Sequence, residues 1–95
     1  MNLGRAIKEL RKEQGLSQEE LALASSITQA ALSQIENGKR PGSGTLNKIS
    51  KALKVPVSLI YALGMDKEDV PKGKRVVYDQ LFPIVQNLII QIGSK

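Results

Sequence analysis

Leu16-Ser17-Gln18-Glu19-Glu20-Leu21-Ala22-Leu23-Ala24-Ser25-Ser26-Ile27-Thr28-Gln29-Ala30-Ala31-Leu32-Ser33-Gln34-Ile35-Glu36-Asn37-Gly38-Lys39-Arg40-Pro41 holds two helix starts and a helix stop. Ser17 followed three residues later by Glu20 is a capping-box arrangement, so a short helix starts at Gln18 and runs on through Leu21, Ala22 and Ala24. Thr28 is a second cap residue and starts another helix at Gln29. If each residue advances about 100° around that helix, Gln29, Ser33, Ala30 and Gln34 share one arc, while Ala31, Ile35 and Leu32 share the opposite one. One face is apolar and belongs in a core. The other presents uncharged hydrogen-bonding groups. Asn37-Gly38 ends the helix, and Lys39-Arg40-Pro41-Gly42-Ser43-Gly44 is a basic turn rich in breakers.

Working outward, Leu3, Ile7 and Leu10 recur at helical spacing, giving a first helix over about residues 2–14, closed by Gly15. Leu46, Ile49 and Leu53 define a fourth helix that stops before Val55-Pro56. Gly42 and Gly44 are expected to loosen the loop before it. Ser58 is expected to cap a fifth helix through Leu59, Ile60 and Leu63, ended by Gly64. Residues 1–64 thus read as one domain, and the polar stretch 65–73, with Pro71 and Gly73, as a connector. Residues 74–95 are helical in type, and Pro83 predicts a kink or a restart after Phe82. Ile84, Val85, Leu88, Ile89, Ile90 and Ile92 make this segment too apolar for a helix with one face in water. Its cover is either the domain itself, over helices one and five, or a second copy of the chain. Of these residues, Ile84, Val85, Leu88, Ile89 and Ile92 are the expected dimer contacts.

Composition agrees with an all-α fold. Of 95 residues, 41% are hydrophobic and 24% charged, outside the range of disordered chains, and only 3% are aromatic, so the core is aliphatic. Cysteine and histidine are both absent, which removes disulfides, thiolate or imidazole metal ligation and the commonest nucleophile and base pairings. No phosphate-cradling glycine motif is present. Glu19 and Glu20 are adjacent carboxylates, but helix neighbours diverge by about 100° and cannot converge on one atom. No enzyme activity, cofactor, metal or small-molecule ligand is therefore expected. The net charge of +5 favours an anionic partner. With no run of 18 apolar residues and no leader-like start, the expected location is the cytoplasm, with nucleoid association when DNA is bound.

Leu16 to Ala22, then Ile27-Thr28-Gln29, then Leu32 to Pro41 closely resemble the lambda-repressor-like helix-turn-helix DNA-binding family of Cro and XRE-type regulators. The resemblance extends over about residues 3–63, through Thr45 to Leu53 and Val55 to Ile60. It implies a five-helix domain, here with an added C-terminal helical segment, and a homodimeric transcriptional regulator, in most cases a repressor, on a palindromic double-stranded operator. It also implies that helix three enters the major groove while helix two lies across the backbone. Gln29, Ala30, Ser33 and Gln34 are then the base-reading candidates, since a glutamine amide matches adenine and a small alanine meets a thymine methyl. In phage repressors of the family, glutamine at the position of Gln18 contacts phosphate and braces the first recognition residue. Asn37, Lys39 and Arg40 match the family's phosphate clamp after the recognition helix, and Thr28 at its start joins the phosphate set. The family also pairs the glutamate of Glu36-Asn37-Gly38 with an arginine of helix one, here Arg11. One departure stands out: the turn usually carries glycine where this chain has Ser26, so either a serine is held left-handed, at a cost of about 1–2 kcal/mol, or the turn is altered.

A different class of function is open to the same residues. In an antitoxin-like or adaptor protein the C-terminal helix would bind an unrelated protein, with DNA binding secondary or lost. The hydrophobic tail serves either role.

Overall fold

The computed structural model describes residues 1–94, which form helices and no strand. In chain order these are α1 (Leu3–Glu13), α2 (Gln18–Ala24), α3 (Gln29–Glu36), α4 (Ser43–Leu53), α5 (Val57–Leu63) and α6 (Arg75–Gly93). Two short 3₁₀ turns, Lys67–Asp69 and Lys72–Lys74, lie between α5 and α6. α2 begins with the expected reciprocal cap: Ser17 Oγ accepts from the Glu20 backbone N–H, and the Glu20 side chain accepts from that of Ser17.

Four of the helices end alike. After α1, α2, α3 and α4 the chain turns left-handed at Gly15, Ser26, Gly38 and Lys54, with φ of 71°, 56°, 118° and 59°. At each end the left-handed residue and the one after it donate back to the last turn: Leu16 to Arg11, Ile27 to Ala22, Lys39 to Gln34 and Val55 to Ser50 close the outer bonds at 2.9–3.1 Å. These are Schellman caps, in which the residue after the left-handed position is typically apolar and folds onto the helix. Leu16, Ile27 and Val55 fill that role and pack on the core. Ser26 therefore keeps the glycine-type turn geometry instead of altering it. Lys54 accepts the same conformation, because the orphan carbonyls of α4 need these bonds.

Leu3, Ala6, Ile7, Leu10, Leu21, Leu32, Ile35, Leu46, Ile49, Leu53, Ile60 and Leu63 form the core, aliphatic throughout. α1 lies at its centre, against α3, α5 and α6. It approaches α3 at Gly4, which faces the Ile35 carbonyl so tightly that a Cβ would sit on that oxygen. Two side chains lock the periphery. Arg5 donates Nη1 to Asp66 at 3.0 Å and Nη2 to the carbonyls of Leu63 and Met65, tying α1 to the end of α5 and the connector. Gln14 Nε2 donates to Leu53 O at 2.7 Å and Gly93 O at 2.8 Å, joining the C-terminal ends of α4 and α6.

Four sequence expectations are corrected. Ser58 does not cap α5: Pro56 occupies the cap position with extended backbone, the helix begins at Val57, and no side-chain cap bond forms. Gly44 does not loosen a loop, because α4 starts at Ser43 and takes Gly44 into its first turn. Pro83 does not force a restart. α6 is one helix across it, and both Pro83 and Asp79, whose carbonyl loses its donor there, are exposed to water. Ile89 is not a free contact residue but is buried in the domain's own core.

α6 folds back on α1 and α5, and does so along one edge only. Ile89 is buried, Ile90 is partly buried, and Gly93 brings the helix against Leu10. Nearer its start, Tyr78 stacks on Phe82 with centroids 4.7 Å apart and donates its hydroxyl to Met65 O at 2.9 Å. Burial raises the Tyr78 phenol above its ordinary range. Val76, Val77, Leu81, Ile84, Val85, Leu88 and Ile92 remain exposed on the outer face. Among the described residues no helix is long and apolar enough to cross a membrane.

Candidate nucleic-acid interface

α2 and α3 are joined by the Ser25–Thr28 turn and pack against each other over Leu21, Ala22, Leu32 and Ile35. Thr28 starts α3 by accepting the Ala31 N–H at 3.0 Å, so its hydroxyl is engaged as a cap. The helix then turns its sequence-defined arcs as the 100° rotation requires. Leu32 and Ile35 are buried, Gln29, Ala30 and Gln34 are exposed, and Ser33 is half-buried. The four base-reading candidates thus share one solvent-facing stripe. Leu23, on the outer side of α2, is 83% exposed and takes no part in the core.

The end of α3 adds cations. Its cap at Gly38 aims the chain into Lys39 and Arg40, both exposed. Lys39 Nζ lies 3.5 Å from Gln34 Oε1, a contact that engages the amide oxygen and leaves its N–H₂ free to donate. Gln34, Lys39 and Arg40, with Ala31 and Thr45, border a recess of about 180 Å³ between α3 and the start of α4. Asn37 is exposed at the C-cap beside them.

Behind this surface is a buried polar anchor. Arg11 donates Nε to Glu36 Oε2 at 2.8 Å and Nη2 to Oε1 at 3.0 Å, while Nη1 donates to Leu16 O at 2.8 Å. The side chains are only 10% and 2% exposed. Gln18 Nε2 donates to the same Glu36 Oε1 at 3.2 Å. In this structure, then, Gln18 braces the ion pair and not Gln29. The resulting network spans α1, α2 and α3, and it fixes the pose of α3 relative to the rest of the domain. Gly4, which the sequence reading passed over, serves the same end by letting α1 meet the last turn of α3 backbone to backbone. A small residue at the first turn of an amphipathic helix was the available signal.

No group of His, Cys, Asp and Glu among the described residues could hold a metal ion. The surface carries hydrogen-bonding amides, a hydroxyl, a methyl and cations, which suits recognition of a polyanion with readable edges.

Comparison with known proteins decides the family. The helix-turn-helix family model matches residues 7–60, more than half the chain and centred on α2 and α3. The chain belongs to the helix-turn-helix family. This helix-turn-helix protein is 39% identical over 70 residues to the HTH-type transcriptional repressor RghR of Bacillus subtilis, an alignment covering 70% of the chain and 52% of RghR. It is 33% identical over 91 residues to the HTH-type regulator RghRB of the same organism, covering 90% of the chain and 66% of that relative. A competence pilus inhibition repressor of Acinetobacter baylyi is 39% identical over 71 residues, covering 72% of the chain and 64% of the relative. The chain therefore spans about half to two thirds of the length of these relatives. No solved structure matches it.

Proposed function

We propose that this protein is a homodimeric transcriptional repressor that binds a palindromic double-stranded operator, with α3 in the major groove. The observation that carries the reading is the stripe of exposed Gln29, Ala30 and Gln34 with half-buried Ser33, held on a helix whose opposite face is buried and whose base is locked by the Arg11–Glu36 pair. A glutamine amide donates and accepts in the pattern that adenine presents, and each such bidentate contact discriminates by about 1–3 kcal/mol. Lys39, Arg40, Asn37 and Gln18 flank the stripe and contribute phosphate contacts, which position the helix without reading sequence. Thr28, its hydroxyl already engaged in the cap, adds to this set through its place at the helix start. The names of the relatives, two of them repressors, support repression as the outcome.

One such unit makes few base contacts, and two on a symmetric dimer double them at half-sites about one helical turn apart. The exposed apolar face of α6, through Ile84, Val85, Leu88 and Ile92, supplies the dimer surface.

Selection from a random duplex library at about 150 mM salt, where non-specific phosphate binding is weakened, tests the reading. Enrichment of a palindrome is the expected result. A folded protein that enriches nothing overturns it and directs attention to a protein partner on α6.

A further inference from the structure

The two halves of α6 differ in shape. The first half, together with the connector, borders an apolar recess of about 320 Å³ lined by Met65, Val70, Val77, Tyr78, Leu81 and Val85, among others. The second half projects Leu88 and Ile92, 58% and 62% exposed, and Ile92 also borders a separate recess of about 280 Å³ against the ends of α1 and α4. The two halves also differ in charge. Lys72, Lys74 and Arg75 precede or open the helix, whereas from Gln80 to Ser94 no residue is charged and the last turn holds no basic residue. Six of the seven exposed apolar positions of α6 are symmetric about a point between Ile84 and Val85, which sets Val77 opposite Ile92 and Leu81 opposite Leu88, while Val76 falls opposite the buried Gly93.

Resting on the dimeric reading above, we propose that two copies of α6 pack antiparallel about a twofold axis between Ile84 and Val85, so that each recess receives Leu88 and Ile92 of the partner subunit. Antiparallel packing seats a projecting end in a concave one at both ends of the contact, as an isologous interface requires. It also separates the two cationic starts, each meeting a helix end whose carbonyls favour positive charge and which a single cation, Lys95, follows in sequence. Parallel packing would face recess against recess and cation cluster against cation cluster, leaving apolar volume unfilled and like charges together.

The chain contains no cysteine, so single introduced thiols report the geometry cleanly. Val77→Cys, Ile84→Cys and Ile92→Cys are all at exposed positions and leave the core intact. Under mild oxidation, Ile84→Cys is expected to link to itself, and an equal mixture of Val77→Cys and Ile92→Cys to give the mixed disulfide over either self-linked product by about tenfold, since a disulfide needs its two Cα atoms within about 7 Å. Light scattering on the unmodified chain separates the two ways of failing. A monomer removes the dimeric reading and this arrangement with it. A dimer in which Val77→Cys links to itself, or in which none of the three positions links, keeps the dimer and overturns the antiparallel arrangement.

Discussion

Arg11 grips both carboxylate oxygens of Glu36, at 2.8 and 3.0 Å, in a site where the two side chains are 10% and 2% exposed. One partner stands on α1 and the other on the last residue of α3, so the pair reports directly on how the recognition surface is mounted. A buried pair of this kind is worth little against an apolar replacement, but breaking it leaves a desolvated charge. Arg11→Ala is expected to destabilise the fold by about 3–5 kcal/mol, and the double replacement Arg11→Met with Glu36→Leu by clearly less. Denaturant melts of the three proteins check it. If the double variant is as unstable as the single one, the cost comes from lost packing and not from the stranded carboxylate.

Ser26 is held at φ 56° because Ile27 must reach back to Ala22 and bury its side chain on the core. A non-glycine residue there stores about 1–2 kcal/mol, part of which glycine returns to the unfolded chain as added freedom. Ser26→Gly is expected to raise stability by about 0.5–1 kcal/mol, while Ser26→Ala keeps the strain and gives no gain. The denaturation midpoint is the readout. Equal stability of the glycine and wild-type proteins would mean that the strain at Ser26 is no larger than the freedom glycine adds to the unfolded chain.

How much of this was legible from the residues depended on how local the cause was. The Ser17–Glu20 capping box, the Thr28 cap and the two arcs of α3 are set by neighbours within one turn, and all three are present as read. Ser58 misled because Pro56, two residues earlier, already fixes the extended backbone from which the helix starts. Ile89 misled for a different reason. Its neighbours on the helix are apolar on nearly every side, so periodicity could not say which edge would dock, and Gly93, which lets α6 close on Leu10, was the informative residue. Arg5 and Gln14 donate to partners 39 to 79 positions away in the chain, and no local pattern announces such contacts.

Gln29 and Gln34 stand among the exposed groups of α3, whereas Arg40 lies past its end. Gln29→Ala is expected to lower affinity for the selected operator by about 1–3 kcal/mol and to relax preference at particular base positions. Arg40→Ala should weaken every sequence alike and reduce the slope of affinity against salt by about one charge. Binding titrations on the operator and on single-base variants, at two salt concentrations, separate these effects. A uniform loss from Gln29→Ala would remove that residue from base reading and place it among the phosphate contacts.

Gly4 tests whether the mounting of α3 and the reading of DNA are one property. Its missing Cβ leaves the space taken by the Ile35 carbonyl, and the Glu36 backbone lies directly beyond. A flexible side chain could yield, but a helix carbonyl cannot move without shifting the last turn of α3. Gly4→Ala is therefore expected to cost about 1–3 kcal/mol by overpacking, less than full unfolding of a typical domain. The same displacement carries Gln34, Lys39 and the Arg11–Glu36 pair with it, so operator affinity should fall even though Gly4 lies outside the recognition stripe. Gly64→Ala is the companion variant. Its Cβ would meet the Asn2 carbonyl at 2.9 Å, a milder clash between the caps of α1 and α5 that does not touch α3 directly. With both variants held well below their melting temperatures, a selective loss of operator binding in Gly4→Ala is the expected pattern. Equal losses in both would mean that affinity follows overall stability and that the contact between α1 and α3 has no separate role in placing the recognition surface.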